Sequence, residues 1–136
     1  MPSMADYVAL TDAAFELTDA FPQPSEKVLT FTLPADFAPG TSSGRPVLAF
    51  IVHFKSDAGS VGVWVNPDFP LKQSQREQTL TWSNPVHADS GLWEVIQGPK
   101  FKAGAENKIV FAIQDAEKGT VTFRDVVLWF QRGTGA

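Results

Sequence analysis

Apolar and polar residues alternate most clearly near the end of the chain. Apolar side chains recur at every second position around Phe111, and the alternation resumes at Val121 after a polar segment that ends in Gly119. Period-two alternation on both sides of a glycine-bearing turn is typical of a β-hairpin. The pattern therefore predicts two antiparallel strands, at Lys108–Gln114 and Thr120–Gln131.

Shorter apolar runs precede this hairpin. The 10 prolines and 10 glycines stand almost entirely between the runs, where they act as turn residues. The segment Tyr7–Thr18 also alternates, and we expect it to be extended but broken in the middle. The remaining predicted strands are Val28–Leu33, Val47–Lys55, Ser60–Asn66, Gln78–Ser83 and Leu92–Gln97. Seven or eight short strands predict one all-β domain over residues 1–136, an antiparallel two-sheet β-sandwich or jelly roll.

The predicted strand Val47–Lys55 is apolar on both of its faces. One face is expected to enter the core and carries Leu48, Phe50, Val52 and Phe54. The other face carries Val47, Ala49, Ile51 and His53. A strand that is apolar on both sides is expected to be covered on both, by a loop, by a partner chain or by the N-terminal segment.

Composition narrows the possible partners. Hydrophobic residues make up 43% of the chain and charged residues 19%, which is typical of a globular domain. The net charge of -4, with 11 basic residues spread without a cluster, argues against nucleic acid as a partner. No segment approaches the roughly 20 apolar residues that span a bilayer, so no membrane partner is expected.

Cysteine is absent, which excludes disulfides, thiolate metal sites and cysteine nucleophiles. The N-terminal residues show neither a basic stretch nor a continuous apolar stretch of the kind found in export signals. We therefore expect a cytoplasmic protein, with secretion as part of a larger product as the alternative.

Several segments, concentrated in the last third of the chain, carry a family resemblance. They are Val63–Asn66, Trp93–Gln97, Phe101–Gly104, Asn107–Ile109 and Phe123–Leu128. Together they resemble the middle strand, the entry to the penultimate strand and the closing strand of the galactose-binding-like jelly roll found in many carbohydrate-binding modules. The resemblance implies a β-sandwich whose ligand is a carbohydrate or a similar polyol.

The four tryptophans lie inside predicted strands and are candidate platforms for sugar rings. A flat indole can stack on the apolar face of a sugar, whereas the alternative is a core indole with its N–H bonded to a backbone carbonyl. By alternation, Trp64 faces away from Val63 and is the best outward candidate. Trp93 is the second. Trp82 shares a face with Leu80, so we expect it in the core.

Four polar residues are candidates for hydrogen bonds to sugar hydroxyls: Asn66, Gln97, His53 and Asp125. Asp125 interrupts an apolar strand, and its carboxylate is also a candidate calcium ligand. We favour a structural role instead, in which Asp125 pairs with Arg124 or marks a β-bulge that shifts the register. No Asp-rich loop with EF-hand spacing is present, so a structural calcium ion stays an alternative and no other cofactor is expected.

Catalytic arrangements are poorly supported. A triad from Ser90, His87 and Asp89 would be packed too tightly in sequence, and no G-x-S-x-G motif accompanies it. Carboxylate pairs suited to glycoside hydrolysis are Glu94 with Asp89 and Asp115 with Glu117. Asp115 and Glu117 lie in a predicted turn, where solvated charges are ordinary. We therefore expect a protein that is not an enzyme.

Two functions remain open. The first is a non-catalytic, lectin-like carbohydrate-binding module, in which Trp64 and Trp93 stack on sugars. Its hydrogen-bonding residues would be Asn66, Gln97, His53 and Asp125. The second is a self-assembling structural or decoration-type jelly-roll subunit, or a protein-interaction domain, which forms a homo-oligomer through the doubly apolar strand Val47–Lys55.

Overall fold

A computed structural model describes residues 4–19, 26–40, 44–83, 90–113 and 118–133 of the 136-residue chain. The described residues form ten β-strands and two short 3-10 turns, Gln73–Gln75 and Gly98–Lys100. No helix in these ranges is long and apolar enough to cross a membrane. The strands are β1 (Met4–Thr11), β2 (Phe15–Thr18), β3 (Glu26–Thr32), β4 (Phe37–Ala38), β5 (Val47–Phe54), β6 (Ala58–Val65), β7 (Gln78–Ser83), β8 (Ser90–Val95), β9 (Glu106–Ala112) and β10 (Thr120–Arg132).

The predicted antiparallel β-sandwich is confirmed. One sheet has six strands, in the order β1-β10-β5-β8, with β2 and β4 also paired to the long strand β10. The other has four strands, in the order β3-β9-β6-β7. The break expected within Tyr7–Thr18 is found between β1 and β2. The strand count of seven or eight was too low, because this break makes two strands and the two-residue strand β4 is too short to leave a periodic pattern.

The core lies between the two sheets and is rich in phenylalanine. The ring centroid of Phe111, from the four-stranded sheet, lies 4.8 Å from that of Phe123 and 5.9 Å from that of Phe50. Phe123 and Phe50 are both in the six-stranded sheet. All three side chains are buried. The inner face predicted for β5 is confirmed, since Leu48, Phe50 and Val52 are buried and Phe54 packs against the core. Alternation places these residues on one side because successive strand side chains point to opposite faces.

A β-bulge interrupts β10 at Asp125, as the sequence predicted. Asp125 has a φ of 53°, in the left-handed region, and the register shifts there. The flanking register pairs are Arg124 with Ile51 and Val127 with Ala49. One extra residue reverses the alternation, so buried positions are odd-numbered up to Phe123 and even-numbered from Val126. The same reversal turns Trp129 away from the core.

Candidate binding face

The outer face of the four-stranded sheet is covered around its middle strands. Trp64, Val110 and Ala112 point away from the main core and are nevertheless buried, with Leu71 packed against them. The Trp64 Nε1–H donates a hydrogen bond of 2.9 Å to the carbonyl oxygen of Lys72. The loop 66–77 is therefore folded over the middle of this face and covers it there.

The predicted exposure of Trp64 is wrong. Its direction, away from the core between the sheets, agrees with the alternation, but its side chain is 0% exposed. The loop that covers it satisfies its only polar group, as is usual for a buried indole. Trp82, which was expected in the core, is buried there and stacks on Phe54 with ring centroids 4.6 Å apart.

Asn66 has a structural role in place of the predicted contact with a ligand. Its Nδ2 donates to the carbonyl of Lys100 at 2.8 Å and to Oδ1 of Asn107 at 2.9 Å. Its Oδ1 accepts from the backbone N–H of Lys108 at 2.8 Å. Asn107 is fully buried and bonds through both side-chain atoms to the backbone of the turn 102–105. The amide of Asn66 thus joins the end of β6 to the start of β9.

The outer face of the six-stranded sheet carries three exposed aromatic rings. Tyr7 is 58% exposed, Trp93 66% and Trp129 45%. The rings of Tyr7 and Trp129 are adjacent, with centroids 5.0 Å apart. Apolar side chains connect the rings across the strands. We call this surface the aromatic face, and it consists of Tyr7, Ala9, Val47, Ala49, Ile51, Trp93, Val95, Val127 and Trp129.

Strand register gives the spacing of the rings. Trp129 lies opposite Val47, which lies opposite Val95, and Trp93 is two residues further along β8. Strands about 4.8 Å apart and a rise of about 3.4 Å per residue place the Cα atoms of Trp129 and Trp93 roughly 12 Å apart. The two indoles are therefore separate platforms on one surface.

Polar side chains border one end of the aromatic face. His53 continues the outer face of β5 and lies opposite Thr122. Arg124, opposite Ile51, donates a hydrogen bond of 2.8 Å to the Asp125 carboxylate. The predicted Arg124–Asp125 pairing is therefore confirmed. Exposed charges such as these stabilise the fold only weakly, and they remain accessible to solvent.

The six residues predicted from sequence are thus divided. Trp93, His53 and Asp125 come together on or beside the aromatic face, whereas Trp64 and Asn66 belong to the other sheet. Gln97 is exposed, two residues past the end of β8, where its carbonyl accepts the N–H of Lys100 in the 3-10 turn.

Two rings of the aromatic face were not predicted: Tyr7 was not a candidate, and Trp129 was not selected from the four tryptophans. The predicted bulge at Asp125 held the signal for Trp129, because counting inward positions from Val126 puts residue 129 on the outside. Tyr7 gave no comparable signal, since its partner strand β10 lies at the opposite end of the sequence.

Groups suited to catalysis or metal binding are sparse in the described ranges. There, no three His, Cys, Asp or Glu side chains are grouped so that they could hold a metal ion. Partial burial raises the pKa of Glu94 above its usual value. His87, Asp89, Asp115 and Glu117 lie outside the described residues.

A shallow depression of about 560 Å³ lies beside the N-terminal end of β1. Its polar groups are Arg132, Asp36 and Asp6, and the Arg132 Nε–H donates to Asp36 at 2.9 Å. The side-chain hydrogen bonds to Asp36 and then to Asp6 raise the pKa of Arg132. The guanidinium is already paired with two carboxylates, so the depression offers no strong attraction for an anion.

The fold of this chain is similar to that of several solved structures. A structure described as CBM4, a carbohydrate-binding module, matches 96% of this chain and 78% of its own, with a TM-score of 0.55 and 14% sequence identity. The chain has the β-sandwich fold of a carbohydrate-binding module. At this identity, the similarity concerns the fold alone.

Two further matches are weaker. The CBM36-1 domain of a multidomain xylanase, from the hindgut metagenome of Trinervitermes trinervoides, gives a TM-score of 0.48 at 10% identity, covering 96% of this chain and all of that domain (100%). An uncharacterized Listeria monocytogenes protein, in complex with glucose, magnesium and calcium, gives 0.44 at 17% identity. That match covers 90% of this chain, which spans only 9% of the Listeria protein. No protein-family model and no curated protein sequence matches the chain.

Proposed function

We propose that this domain is a non-catalytic module that binds a carbohydrate chain on its aromatic face. The observation that carries the proposal is the presence of three exposed aromatic rings on one sheet face. Single exposed apolar residues are ordinary, but a contiguous apolar patch marks a binding surface. Indole and phenol rings suit sugars because the ring faces are apolar and the edges are polar.

The ring spacing favours a chain over a single sugar. A six-membered ring with its hydroxyls is about 5 Å across, given bond lengths of roughly 1.5 Å. The Cα atoms of Trp129 and Trp93 are roughly 12 Å apart by register, so one sugar does not reach both indoles. Two weak contacts joined in one ligand bind more tightly than either alone. Affinity is therefore expected to rise with the number of sugar units.

The polar border supplies the expected hydrogen bonds. His53 and the Arg124–Asp125 pair lie next to the apolar part of the face, and Gln97 is accessible beyond β8. Since Asp125 is held by Arg124, the proposed site does not require calcium. Binding is expected to persist in EDTA, and a loss of binding that calcium restores would contradict this arrangement.

The test is to measure polysaccharide affinity by electrophoresis in gels that contain soluble glycans, together with calorimetric titration. Trp93→Ala and Trp129→Ala are each expected to weaken binding about tenfold, which corresponds to about 1.4 kcal/mol. Phe69→Ala is the matched control, because Phe69 is an exposed aromatic residue (50%) in the loop over the other sheet. Equal losses in all three variants, or no glycan bound by the unaltered protein, would contradict the proposal.

Self-association is a second candidate, favoured by the apolar residues of β5 on the same face. Val47, Ala49 and Ile51 are only half-buried. If a second copy covers them, light scattering at micromolar concentration should show a dimer or larger species. Ile51→Asp should then dissociate it, because an unpaired charge in an apolar contact is unfavourable. A monomer in this experiment would reject self-association.

A further inference from the structure

Three glycines lie within the described strands, and two of them are required by packing. A Cβ atom on Gly59 would collide with the Trp82 ring, and one on Gly62 would lie 2.6 Å from the Trp64 ring. Gly91, in β8, is different. Among the described residues, the only atom within 4 Å of a Cβ built there is Ile51 Cδ1, at 3.9 Å, an ordinary contact. Its φ is not in the left-handed region either.

The described residues therefore give no packing reason for a glycine at position 91. Glycine inside a strand weakens the fold through its backbone entropy and its lack of packing. A strand glycine commonly marks a bulge, a bend, or the close approach of a ligand or another backbone. The register of β8 against β5 is unbroken from Val47–Val95 to Val52–Ser90, which excludes a bulge. Of the other causes, the close approach of a ligand is the one that the proposed function of this face supplies.

Gly91 lies within the proposed site. It is two residues from Trp93 on the same side of β8, and it is opposite Ile51. Ile51 in turn lies opposite Arg124. The missing side chain therefore leaves a notch in the aromatic face, with Ile51 beside it on β5 and Trp93 beside it along β8. The Arg124–Asp125 pair stands across β5 from it.

We propose that Gly91 is a specificity-determining residue that admits a substituent of the sugar stacked on Trp93. This rests on the proposed function of the aromatic face. The Cα atoms of residues 91 and 93 are about 7 Å apart along the strand, which leaves room beside a stacked ring for a projecting group. Strand side chains stand roughly perpendicular to the sheet, so a side chain at position 91 would occupy that space. The ligand class is a polysaccharide built from hexoses, whose rings carry an exocyclic hydroxymethyl group.

The experiment compares Gly91→Val with the unaltered full chain in affinity gels that contain a β-glucan, a mannan, a starch or a xylan. The unaltered protein is expected to bind a hexose polymer more tightly than xylan, a pentose polymer without the hydroxymethyl group. Gly91→Val should weaken hexose-polymer binding about tenfold and leave xylan binding unchanged. The melting temperature should rise by roughly 2 to 4 °C, because valine favours strands. Thr81→Val, on the outer face of the other sheet's edge strand β7, is the control and should not change binding.

The outcomes separate this inference from the proposed function. Loss of binding in Trp93→Ala with none in Gly91→Val would overturn the role of Gly91 alone. Equal losses on hexose polymers and xylan, or a preference of the unaltered protein for xylan, would overturn the ligand class. A drop in melting temperature would show that Gly91 has a structural role. No binding of the unaltered protein to any of the four polymers would overturn the proposed function as well.

Discussion

Replacing Trp64 by alanine tests whether the tryptophan of β6 is a structural residue or a ligand platform. In the structure its ring is buried under the loop 66–77. We therefore expect Trp64→Ala to destabilise the domain, without a direct effect on glycan binding by molecules that remain folded. This is the opposite of what an outward-facing, exposed Trp64 would do.

The expected loss of stability in Trp64→Ala follows from the burial of the Trp64 side chain. Replacing a fully buried tryptophan by alanine costs about 3–5 kcal/mol, depending on how far the surroundings collapse into the space. The side chain of Trp64 is 0% exposed, but its cover is a loop that can partly close the gap. We therefore expect about 3 kcal/mol, including roughly 1 kcal/mol for the hydrogen bond to Lys72. The folded-to-unfolded ratio would fall more than a hundredfold.

Urea unfolding followed by far-ultraviolet circular dichroism is the suitable assay, because the substitution itself alters tryptophan fluorescence. The midpoint is expected to fall by about 1–3 M urea at an unchanged slope. Trp64→Phe keeps an aromatic ring without the N–H donor and should lose less stability. Trp93→Ala, at an exposed site, should stay within about 0.5 kcal/mol of the unaltered protein.

If Trp64→Ala unfolds at the same urea concentration as the unaltered protein and has lost glycan binding, Trp64 is an accessible platform. The cover seen in the structure would then be open in solution, and the binding face would lie on the four-stranded sheet.

Two further predictions concern the bulge and the edge strand. Asp125→Val should lower the free energy of unfolding by about 1–3 kcal/mol, because a β-branched residue is strained at positive φ. Asp125→Gly should lower it less, since glycine adopts positive φ without strain. Equal urea midpoints for the two variants would contradict the bulge. Burial raises the pKa of Glu94 above its usual value, so the folded state keeps this proton to higher pH than the unfolded state does. The free energy of unfolding should therefore fall as pH rises from the unfolded pKa, about 4.3, through the folded pKa. Glu94→Gln should therefore raise the melting temperature, relative to the unaltered protein, by more at pH 7 than at pH 4. An equal change at both pH values would show that desolvation of the carboxylate is not the cause.

The sandwich and much of its core could be predicted from local patterns. Alternation identified β5 and β7 and the inner face of β5, because side chains in a strand point to opposite faces whatever its neighbours are. The bulge was also predicted, because the polar residue Asp125 interrupts an otherwise apolar strand. Each of these features depends only on residues close together in the sequence.

Which outer face is open was decided by the tertiary structure. Alternation pointed Trp64 outward correctly, but only the path of the loop 66–77 shows that the ring is covered. The adjacent rings of Tyr7 and Trp129 lie at opposite ends of the sequence and meet because β1 pairs with β10. Asn66 is likewise engaged by Asn107 and its turn, 41 residues away. The period of a strand shows where a side chain points, whereas its exposure depends on chain segments that pack against it from far away in the sequence.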